Sequence, residues 1–350
     1  MAEQKLILSL TSYPARIRYV PQVLTSLLSQ THPADAVMLY LSEEQFPNRE
    51  KELPPELQSA SERKQVQIRW VNTDLKPHKK YIYAFREFPE DLVVTVDDDV
   101  LYEPAFLEIL LKTHQEYPDA VVAGRTHLIT LDDSGQPYPY RSWLRQTLGF
   151  EAGPSMQLFA VGIGGVLYHP RWFPAELYNE EIIRRTCLMA DDLWLKTMEL
   201  VAGIPVVYSP AGQYLRIIPG SQEVSLYQQN VYQDLNDESL SAIRAWADSY
   251  YGKDLLAEAL STTALPVIRD ELSLLAYLNT ERKALLKAMN DTRRKLRVSE
   301  KEKSRQKEEI DRLGREKAAA QQEAELLRAS SSYRVGSTLL KPIHLLRRKK

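Results

Sequence analysis

Three consecutive aspartates, Asp97, Asp98 and Asp99, are the residues of this sequence best suited to chemistry. They directly follow the apolar run Leu92 to Val96, which is typical of a strand buried on both faces. Carboxylates this close raise one another's pKa values unless a counter-charge neutralises them. Oxygen ligands suit Mg2+ or Mn2+, and a cation held by one or two carboxylates keeps coordination sites for phosphate oxygens. The triplet therefore predicts a divalent-cation site.

A second acidic pair, Asp191 and Asp192, begins the apolar-striped segment ADDLWL, which is typical of a helix start. One of these carboxylates can act as a general base for an acceptor hydroxyl. The alternative is a helix N-cap, because Asp is among the best capping residues. Asp99 alone has the same alternative, as a cap ahead of Tyr102 to Leu111, and a solvated turn is the other alternative for the triplet.

Three other features admit both a functional and a structural interpretation. The Gly-rich segment Val161 to Tyr168 allows the backbone to approach a ligand closely, or it marks a bend in the sheet. Arg125 and His127 contact phosphate or acceptor, or they make structural hydrogen bonds. In the long loop from residue 131 to 153, three aromatic side chains form a stacking platform for a sugar ring or pack the loop: Tyr138, Tyr140 and Trp143.

Alternating strands and helices must position these residues. Short apolar runs predict strands at Lys5–Leu10, Ala36–Leu41, Val66–Val71, Leu92–Val96, Ala120–Ile129 and Ile204–Tyr208. Helical periodicity predicts helices at Tyr19–Gln30, Lys79–Phe88, Glu103–Tyr117 and Ala190–Val201. This order predicts an α/β fold with a mostly parallel, Rossmann-like sheet flanked by helices. Ligands bind such sheets at the carboxyl ends of the strands, where Asp97 is expected.

Composition excludes several classes of protein. The chain has 350 residues, 44% of them apolar, and a net charge of -2, which argues against a nucleic-acid-binding protein. Its one cysteine, Cys187, excludes an internal disulfide. The apolar stretch near the N-terminus is shorter than a signal-peptide core, and no run approaches the ~20 apolar residues of a membrane span. We therefore expect a cytoplasmic protein.

The composition changes after about residue 280. Glu281 to Leu327 is rich in Lys, Glu, Arg, Gln and Ala, and its heptad pattern is broken by polar residues. A coiled coil that forms a homo-oligomer and a single solvated helix both remain open. The basic, amphipathic residues 330–350 predict contact with an anionic membrane surface, or a frayed tail. The expected domains are a catalytic domain at 1–260, a helical extension at 261–329 and this tail.

Taken in order, several segments resemble the glycosyltransferase family 2-like enzymes of the GT-A fold. The fit is to the bacterial group that builds surface polysaccharides, and it covers about residues 5 to 215. The matching segments are LILSLTSYPARI, the helix end SLLSQT, LVVTVDDDVLYEP, VGIGGVLY and ADDLWL. Two features depart from the family pattern. The second strand ends in Leu-Ser-Glu-Glu instead of Asp-Asp-Gly-Ser, and no histidine follows Asp192 until His344.

The resemblance implies a role for each candidate residue. The nucleotide and its diphosphate would contact Thr11, Ser12, Arg16, Lys79, Lys80 and Asp98. Asp97 and Asp99 would hold the divalent cation, Mn2+ or Mg2+. Asp192 would be the general base, with Asp191 as the second candidate.

The resemblance implies an inverting, metal-dependent transfer of a sugar from a nucleotide-sugar donor to a glycan or lipid-linked acceptor. The protein would then work in the cytoplasm, or peripherally on the inner face of the membrane. Two alternatives remain open. One is a sugar-phosphate nucleotidyltransferase, and the other is a non-catalytic scaffold that binds nucleotide sugars. The sequence lacks a Gly-x-x-x-x-Gly-Lys-Ser/Thr loop, which argues against P-loop chemistry.

Overall fold

The computed structural model describes residues 4–130, 136–145, 153–221, 235–261, 303, 305–326 and 328. The chain divides into two compact units, Met1–Tyr277 and Leu278–Lys350. The first unit contains all the described strands. In the second unit, residues 305–326 form a helix whose side chains are almost entirely exposed. Among the described helices, none has both the length and the apolar character needed to cross a membrane.

The described strands and helices alternate over most of the first unit. The strands are β1 (Leu6–Thr11), β2 (Ala36–Ser42), β3 (Gln67–Val71), β4 (Leu92–Thr95), β5 (Val100–Leu101), β6 (Val121–Ala123), β7 (Thr126–Leu128), β8 (Leu158–Ala160), β9 (Val166–Tyr168), β10 (Val206–Tyr208) and β11 (Arg216–Ile217). The α-helices are α1 (Val20–Leu28), α2 (Pro55–Glu62), α3 (Lys79–Glu87), α4 (Phe106–Glu116), α5 (Glu180–Thr186), α6 (Asp191–Ala202), α7 (Leu235–Tyr251) and α8 (Leu255–Ser261).

Seven strands form the central sheet, in the order β10-β6-β9-β4-β1-β2-β3. The β1–β2, β1–β4, β2–β3 and β6–β10 pairs are parallel, and β9 runs antiparallel to both β4 and β6. The prediction of a mostly parallel, GT-A-type α/β sheet flanked by helices is confirmed. The antiparallel strand β9 completes the sheet between its two parallel parts.

Alternation along the central strands explains why helices cover both faces of the sheet. Ile7 and Val93 lie in one apolar cluster, whereas their neighbours Leu8 and Val94 lie in the other, because successive strand side chains point to opposite faces. Helices α3 and α6 supply buried residues to the first cluster, and α1 and α4 supply them to the second. Strand β4 is therefore apolar throughout and buried on both faces.

One sequence-based element is wrong in its extent. The single strand expected from Ala120 to Ile129 is divided into β6 and β7, which belong to different sheets. The break falls at Gly124, where a Cβ atom would lie 2.2 Å from the backbone oxygen of Gly164. Two backbone segments meet here at a distance that only glycine permits, and the two strands separate at this position.

Parts of the C-terminal predictions lie outside the described residues. Residues 305–326 are helical, which agrees with the expected helical extension. The association of this helix with a second copy stays a prediction. Residues 329–350, which include the basic tail, and residues 131–135 and 146–152 of the long loop lie outside the described part of the chain.

Candidate active site

Most of the predicted site residues meet at the carboxyl edge of the central sheet. The loop after β1 carries Ser12 and Arg16, and the loop after β4 carries the aspartate triplet. Because β1 and β4 are parallel neighbours, their carboxyl ends lie side by side. The first residues of α3 and α6 reach the same edge through Lys80 and Asp191.

A first group, which we call the Arg16 cluster, consists of Ser12, Arg16, Asp98 and Asp99. The guanidinium of Arg16 spans two carboxylates: Nη1 lies 2.9 Å from Asp98 Oδ1, and Nη2 contacts Asp99 Oδ2. Ser12 Oγ donates a hydrogen bond of 2.6 Å to the other oxygen of Asp98. The carboxylates are almost fully buried, with side-chain exposures of 5% for Asp98 and 2% for Asp99. Arg16 is therefore the internal counter-charge of two of the three triplet residues.

Burial dominates the titration of these carboxylates. It raises the pKa of Asp98 to about 6, although Arg16 and Ser12 favour the ionised form. Burial, followed by the charge of Asp97, raises the pKa of Asp99, and Arg16 and Ser221 oppose this effect. One guanidinium thus compensates only part of the negative charge of the triplet.

A short strap from β11 to Ser221 covers Asp99. Strand β11 pairs antiparallel with β5, immediately after the triplet. The backbone N–H of Ile218 donates to the Asp99 carbonyl at 2.9 Å, and Ser221 Oγ donates to Asp99 Oδ2 at 3.2 Å. The sequence did not identify this strap, because the segment carries no chemical motif. Its only signal is Gly220, which has a positive φ of 84°.

A second group, which we call the Lys80 cluster, consists of Lys80, Asp97, Asp191 and Asp192. Lys80 Nζ lies 2.8 Å from Asp97 Oδ1 and 3.0 Å from Asp191 Oδ2. Burial opposes the charge of Lys80, but Asp191, Asp97 and Asp192 outweigh it and raise the lysine pKa well above its ordinary value. Asp97 is the most accessible triplet residue, with a side-chain exposure of 27%.

Asp192 is held by backbone instead of by a cation. The N–H of Gly162 donates to Asp192 Oδ2 at 3.0 Å. Burial and the neighbouring charge of Asp191 raise the pKa of Asp192, and the positive charge of Lys80 only partly opposes this rise. A Cβ atom on Gly162 would lie 2.9 Å from Asp192 Oδ1 and 3.0 Å from Lys80 Nζ, so a side chain here would displace these two groups. At Gly162 the backbone of the Gly-rich segment approaches Asp192 and Lys80, and its approach to a ligand stays a prediction.

The capping alternatives are wrong for both acidic motifs. Helix α6 begins at Asp191, its N-cap residue is Ala190, and no side chain caps it. Helix α4 begins at Phe106 with Ala105 as its N-cap, so Asp99 does not cap it. The side chains of Asp99 and Asp191 instead form ion pairs with Arg16 and Lys80.

Two predicted nucleotide contacts lie beside the clusters, not within them. Thr11 Oγ1 donates to the carbonyl of Tyr40 at 2.7 Å, so its hydroxyl joins β1 to β2. Lys79 is buried, and its Nζ pairs with Asp74 and lies 3.3 Å from Gln45 Oε1. Lys79 and Lys80 are adjacent in sequence, yet their ammonium groups serve different carboxylates.

The remaining candidates are mostly packed in the interior. Trp143 is 3% exposed, its Nε1 donates to the carbonyl of Tyr138 at 2.9 Å, and it packs on Phe159. His127 is stacked on Phe159, and burial lowers its pKa to about 4. Burial also raises the pKa of Cys187 to about 12, which makes it a poor nucleophile. The described aromatic cluster therefore packs the loop.

Comparison with protein families gives one match. Residues 12–165 match the model of glycosyl transferase family 2. The matched segment includes the whole Arg16 cluster, Lys80 and Asp97, and it ends before Asp191. No curated protein sequence matches the chain.

Solved structures with a similar course of the chain have low identity and low TM-scores. One is 4-diphosphocytidyl-2C-methyl-D-erythritol synthase from Anaerococcus prevotii, with 14% identity and a TM-score of 0.38, covering 66% of this chain and 96% of that one. Another is residues 1–349 of S. aureus TarS, with 14% identity and a TM-score of 0.37, covering 71% and 72%. The same TarS fragment in complex with UDP matches at 13% identity and a TM-score of 0.37, with the same coverage. Likeness at this level carries no argument about substrate.

Proposed function

We propose that this chain, which carries a glycosyl transferase family 2 domain at residues 12–165, is a metal-dependent, inverting glycosyltransferase that uses a nucleotide-sugar donor. The observation that carries the proposal is an excess of carboxylates at the carboxyl edge of the sheet. Four aspartates of the Arg16 and Lys80 clusters, Asp97, Asp98, Asp191 and Asp192, have only Arg16 and Lys80 as cationic partners in the described salt bridges. Uncompensated buried charge destabilises a fold, so this imbalance fits a site that acquires a divalent cation.

Asp97 and Asp99 are the proposed ligands of that cation, Mn2+ or Mg2+. No group of three or more His, Cys, Asp or Glu side chains is arranged to hold a metal ion within the described residues. A pair of carboxylates suffices for a cation that keeps waters and substrate phosphates as its other ligands. Asp97 is the more accessible ligand, because Arg16 and Ser221 contact Asp99 Oδ2. When bound, the cation would stabilise the departing diphosphate as a Lewis acid.

The Arg16 cluster is the proposed contact surface for the nucleotide diphosphate. Arg16 is 9% exposed, and its buried Nε has no hydrogen-bond partner among the described residues. A guanidinium with a remaining donor suits a phosphate oxygen. Ser12, in the loop after β1, and Asp98, in the loop after β4, are the proposed contacts of the ribose. Lys79, with Asp74 and Gln45 around it, is the proposed contact for the base.

Asp192 is the proposed general base. Its raised pKa suits a carboxylate that accepts a proton near neutral pH, and Gly162 fixes its orientation. Asp191 stays the second candidate because its carboxylate already pairs with Lys80. In the proposed step the acceptor oxygen attacks the anomeric carbon, Asp192 takes its proton, and the nucleoside diphosphate leaves. A single displacement of this kind inverts the anomeric configuration.

The acceptor and the cellular setting follow from the family resemblance alone. We propose a glycan or lipid-linked acceptor in bacterial surface polysaccharide synthesis, in the cytoplasm or on the inner face of the membrane. The basic tail would contact the membrane surface, and the C-terminal helix would form a homo-oligomer. Deletion of residues 330–350 should then move the protein from the membrane fraction to the soluble fraction and leave nucleotide binding intact. Unchanged fractionation would refute the membrane contact.

The test of the chemistry is product release from a panel of UDP-, GDP- and dTDP-sugars. The proposal predicts that a nucleoside diphosphate is released, that EDTA stops the release, and that Mn2+ restores it. A D97A/D99A double variant should be inactive, and full activity of this variant would refute the metal site. Release of pyrophosphate would identify a nucleotidyltransferase, whereas metal-dependent nucleotide binding without turnover would identify a scaffold.

A further inference from the structure

We infer that Lys80 is a positioning residue that ties the metal-binding carboxylate Asp97 to the base pair Asp191–Asp192, and that it is not a contact of the donor. This inference rests on the proposed function. It changes the role that the family resemblance gives to Lys80, namely binding of the base or the diphosphate.

The geometry around the ammonium group carries the inference. Lys80 Nζ lies 2.8 Å from Asp97 Oδ1 and 3.0 Å from Asp191 Oδ2, and its side chain is only 5% exposed. The ammonium donates a hydrogen bond to Asp97 Oδ1, and it forms an ion pair, without a hydrogen bond, to Asp191 Oδ2. The backbone of Gly162 also lies close to the ammonium, because a Cβ atom on this glycine would lie 3.0 Å from Nζ. Little room remains for a phosphate oxygen at this nitrogen.

The backbone of Lys80 is fixed as firmly as its side chain. Ser9 Oγ donates a hydrogen bond to the carbonyl of Lys80, and both residues are buried. Ser9 lies in β1, the strand next to β4, which leads to Asp97. The ammonium is thus held in place from the sheet, and it holds the first residue of α6 in turn.

This arrangement separates the roles of two adjacent aspartates. Asp191 is neutralised by Lys80, whereas Asp192 accepts a hydrogen bond from the Gly162 N–H and pairs with no cation in the described salt bridges. A base needs a carboxylate that is oriented but not consumed by an ion pair. Lys80 therefore leaves Asp192 as the proton acceptor.

The same positive charge must also affect the cation. A charge 2.8 Å from a ligand oxygen repels a divalent cation that binds to the same carboxylate. A diphosphate supplies the negative charge that offsets this repulsion. We therefore expect the cation to bind weakly on its own and tightly together with the nucleotide, so that Lys80 couples the two binding events.

The test measures Mn2+ binding to the nucleotide-free protein by electron paramagnetic resonance, in wild type, K80Q and K80R. We expect K80Q to bind Mn2+ about tenfold more tightly, because one repelling charge is gone. K80R keeps the charge and should bind Mn2+ as wild type does. With the donor that the wild type uses, kcat of K80Q should fall at least about tenfold while KM changes little, since Asp191 is no longer held. A residue with a purely structural role would weaken both metal binding and turnover.

A folded K80Q variant with unchanged or weaker Mn2+ binding would overturn the inference. If K80Q does not fold, Mn2+ binding to D191N is the second test. This substitution keeps the shape of the side chain and removes one negative charge from the Lys80 cluster. D191N should bind Mn2+ several-fold more weakly, and unchanged binding would overturn the inference as well. A wild type that neither binds Mn2+ nor releases a nucleoside diphosphate would instead refute the proposed function.

Discussion

The Arg16 cluster and the Lys80 cluster divide one aspartate triplet between them, but different cations hold them. Arg16 faces Asp98 and Asp99, which are both buried. Lys80 faces Asp97, the most accessible member of the triplet, and Asp191 at the start of α6. A guanidinium presents its donors in a rigid fork, whereas an ammonium is a compact charge with rotatable donors. The comparison is therefore between a guanidinium that spans two adjacent carboxylates and a single buried ammonium that lies between carboxylates of two elements.

The two clusters also differ in what they join. The Arg16 cluster connects loops that follow neighbouring parallel strands, and the Ser221 strap closes over it. The Lys80 cluster connects the sheet edge to α6 through a single ammonium group. Loss of the first should therefore affect stability most, whereas loss of the second should affect chemistry most. The following predictions test this division, from the largest expected effect to the smallest.

Removal of the Asp97 carboxylate should have the largest effect on turnover. D97N keeps the shape of the side chain and removes the proposed metal ligand. We expect sugar transfer to fall by about 10³-fold, because a bound cation contributes several kcal/mol to the stabilisation of the leaving group. Product release in Mn2+-containing buffer measures this effect, with the unfolding midpoint as the control for folding. Turnover near the wild-type value would remove Asp97 from the site.

Removal of the proposed base should lower turnover without affecting donor binding. We expect D192N to reduce kcat by about 10²- to 10⁴-fold, which is the usual contribution of a general base. The dissociation constant of the nucleoside diphosphate should stay as in wild type, because Asp192 is assigned to the acceptor. Steady-state kinetics and calorimetry on the same preparation measure the two quantities. If D192N keeps the wild-type kcat, the general base is Asp191 or lies outside the Asp191–Asp192 pair.

Exchange of arginine and lysine in the two clusters tests whether each site needs a guanidinium or only a positive charge. R16K cannot contact both Asp98 and Asp99 as the guanidinium does, so one buried carboxylate would lose its partner. We expect the free energy of unfolding to fall by about 3 kcal/mol. The matched exchange K80R keeps a charge near both of its partners and should lose much less. Urea unfolding in EDTA measures both variants, and equal losses would contradict the proposed division.

The titration of Asp98 should change the free energy of unfolding at acidic pH. Its pKa of about 6 in the folded protein lies above the ordinary value of 3.8, so the folded state binds the proton more tightly. Between about pH 6 and pH 4 the folded protein is protonated here while the unfolded chain is not. Asp98 therefore makes the protein more stable as the pH falls through this window, and less stable as it rises.

D98N has no carboxylate to titrate at this position. The difference in free energy of unfolding between wild type and D98N should therefore change with pH. Wild type should gain on the order of 2 kcal/mol over D98N between about pH 6 and pH 4. Urea unfolding at several pH values in EDTA measures the difference. A difference that is constant across the window would show that Asp98 does not titrate there.

The sequence predicted the frame of the site because local patterns determine it. A short run such as Leu92–Thr95 is typical of a strand that is buried on both faces. The end of this strand determines the position of Asp97. The alternation of strands and helices then fixes the edge of the sheet at which the loops meet. The limits of Ala120–Ile129 were wrong, because the contact of Gly124 with Gly164 is long-range and leaves no periodic signal.

The sequence did not predict the pairing of charges within the site. Arg16 and Asp99 are 83 residues apart, and Lys80 pairs with both Asp97 and a residue of another helix. Such pairs depend on rotamers and on the exact approach of loops, which residue spacing does not encode. The family resemblance named both cations as nucleotide contacts, and only the packed structure indicates that each already serves two carboxylates.

The most direct measurement is thermal stabilisation of wild type and D97N by UDP, GDP and dTDP, each with and without Mn2+. We predict that one nucleotide raises the wild-type melting temperature by several degrees at saturating concentration, and only when Mn2+ is present. D97N should lose that shift. A nucleotide shift of equal size without Mn2+ would contradict metal-dependent binding at Asp97. No shift with any nucleotide would contradict nucleotide-sugar chemistry altogether.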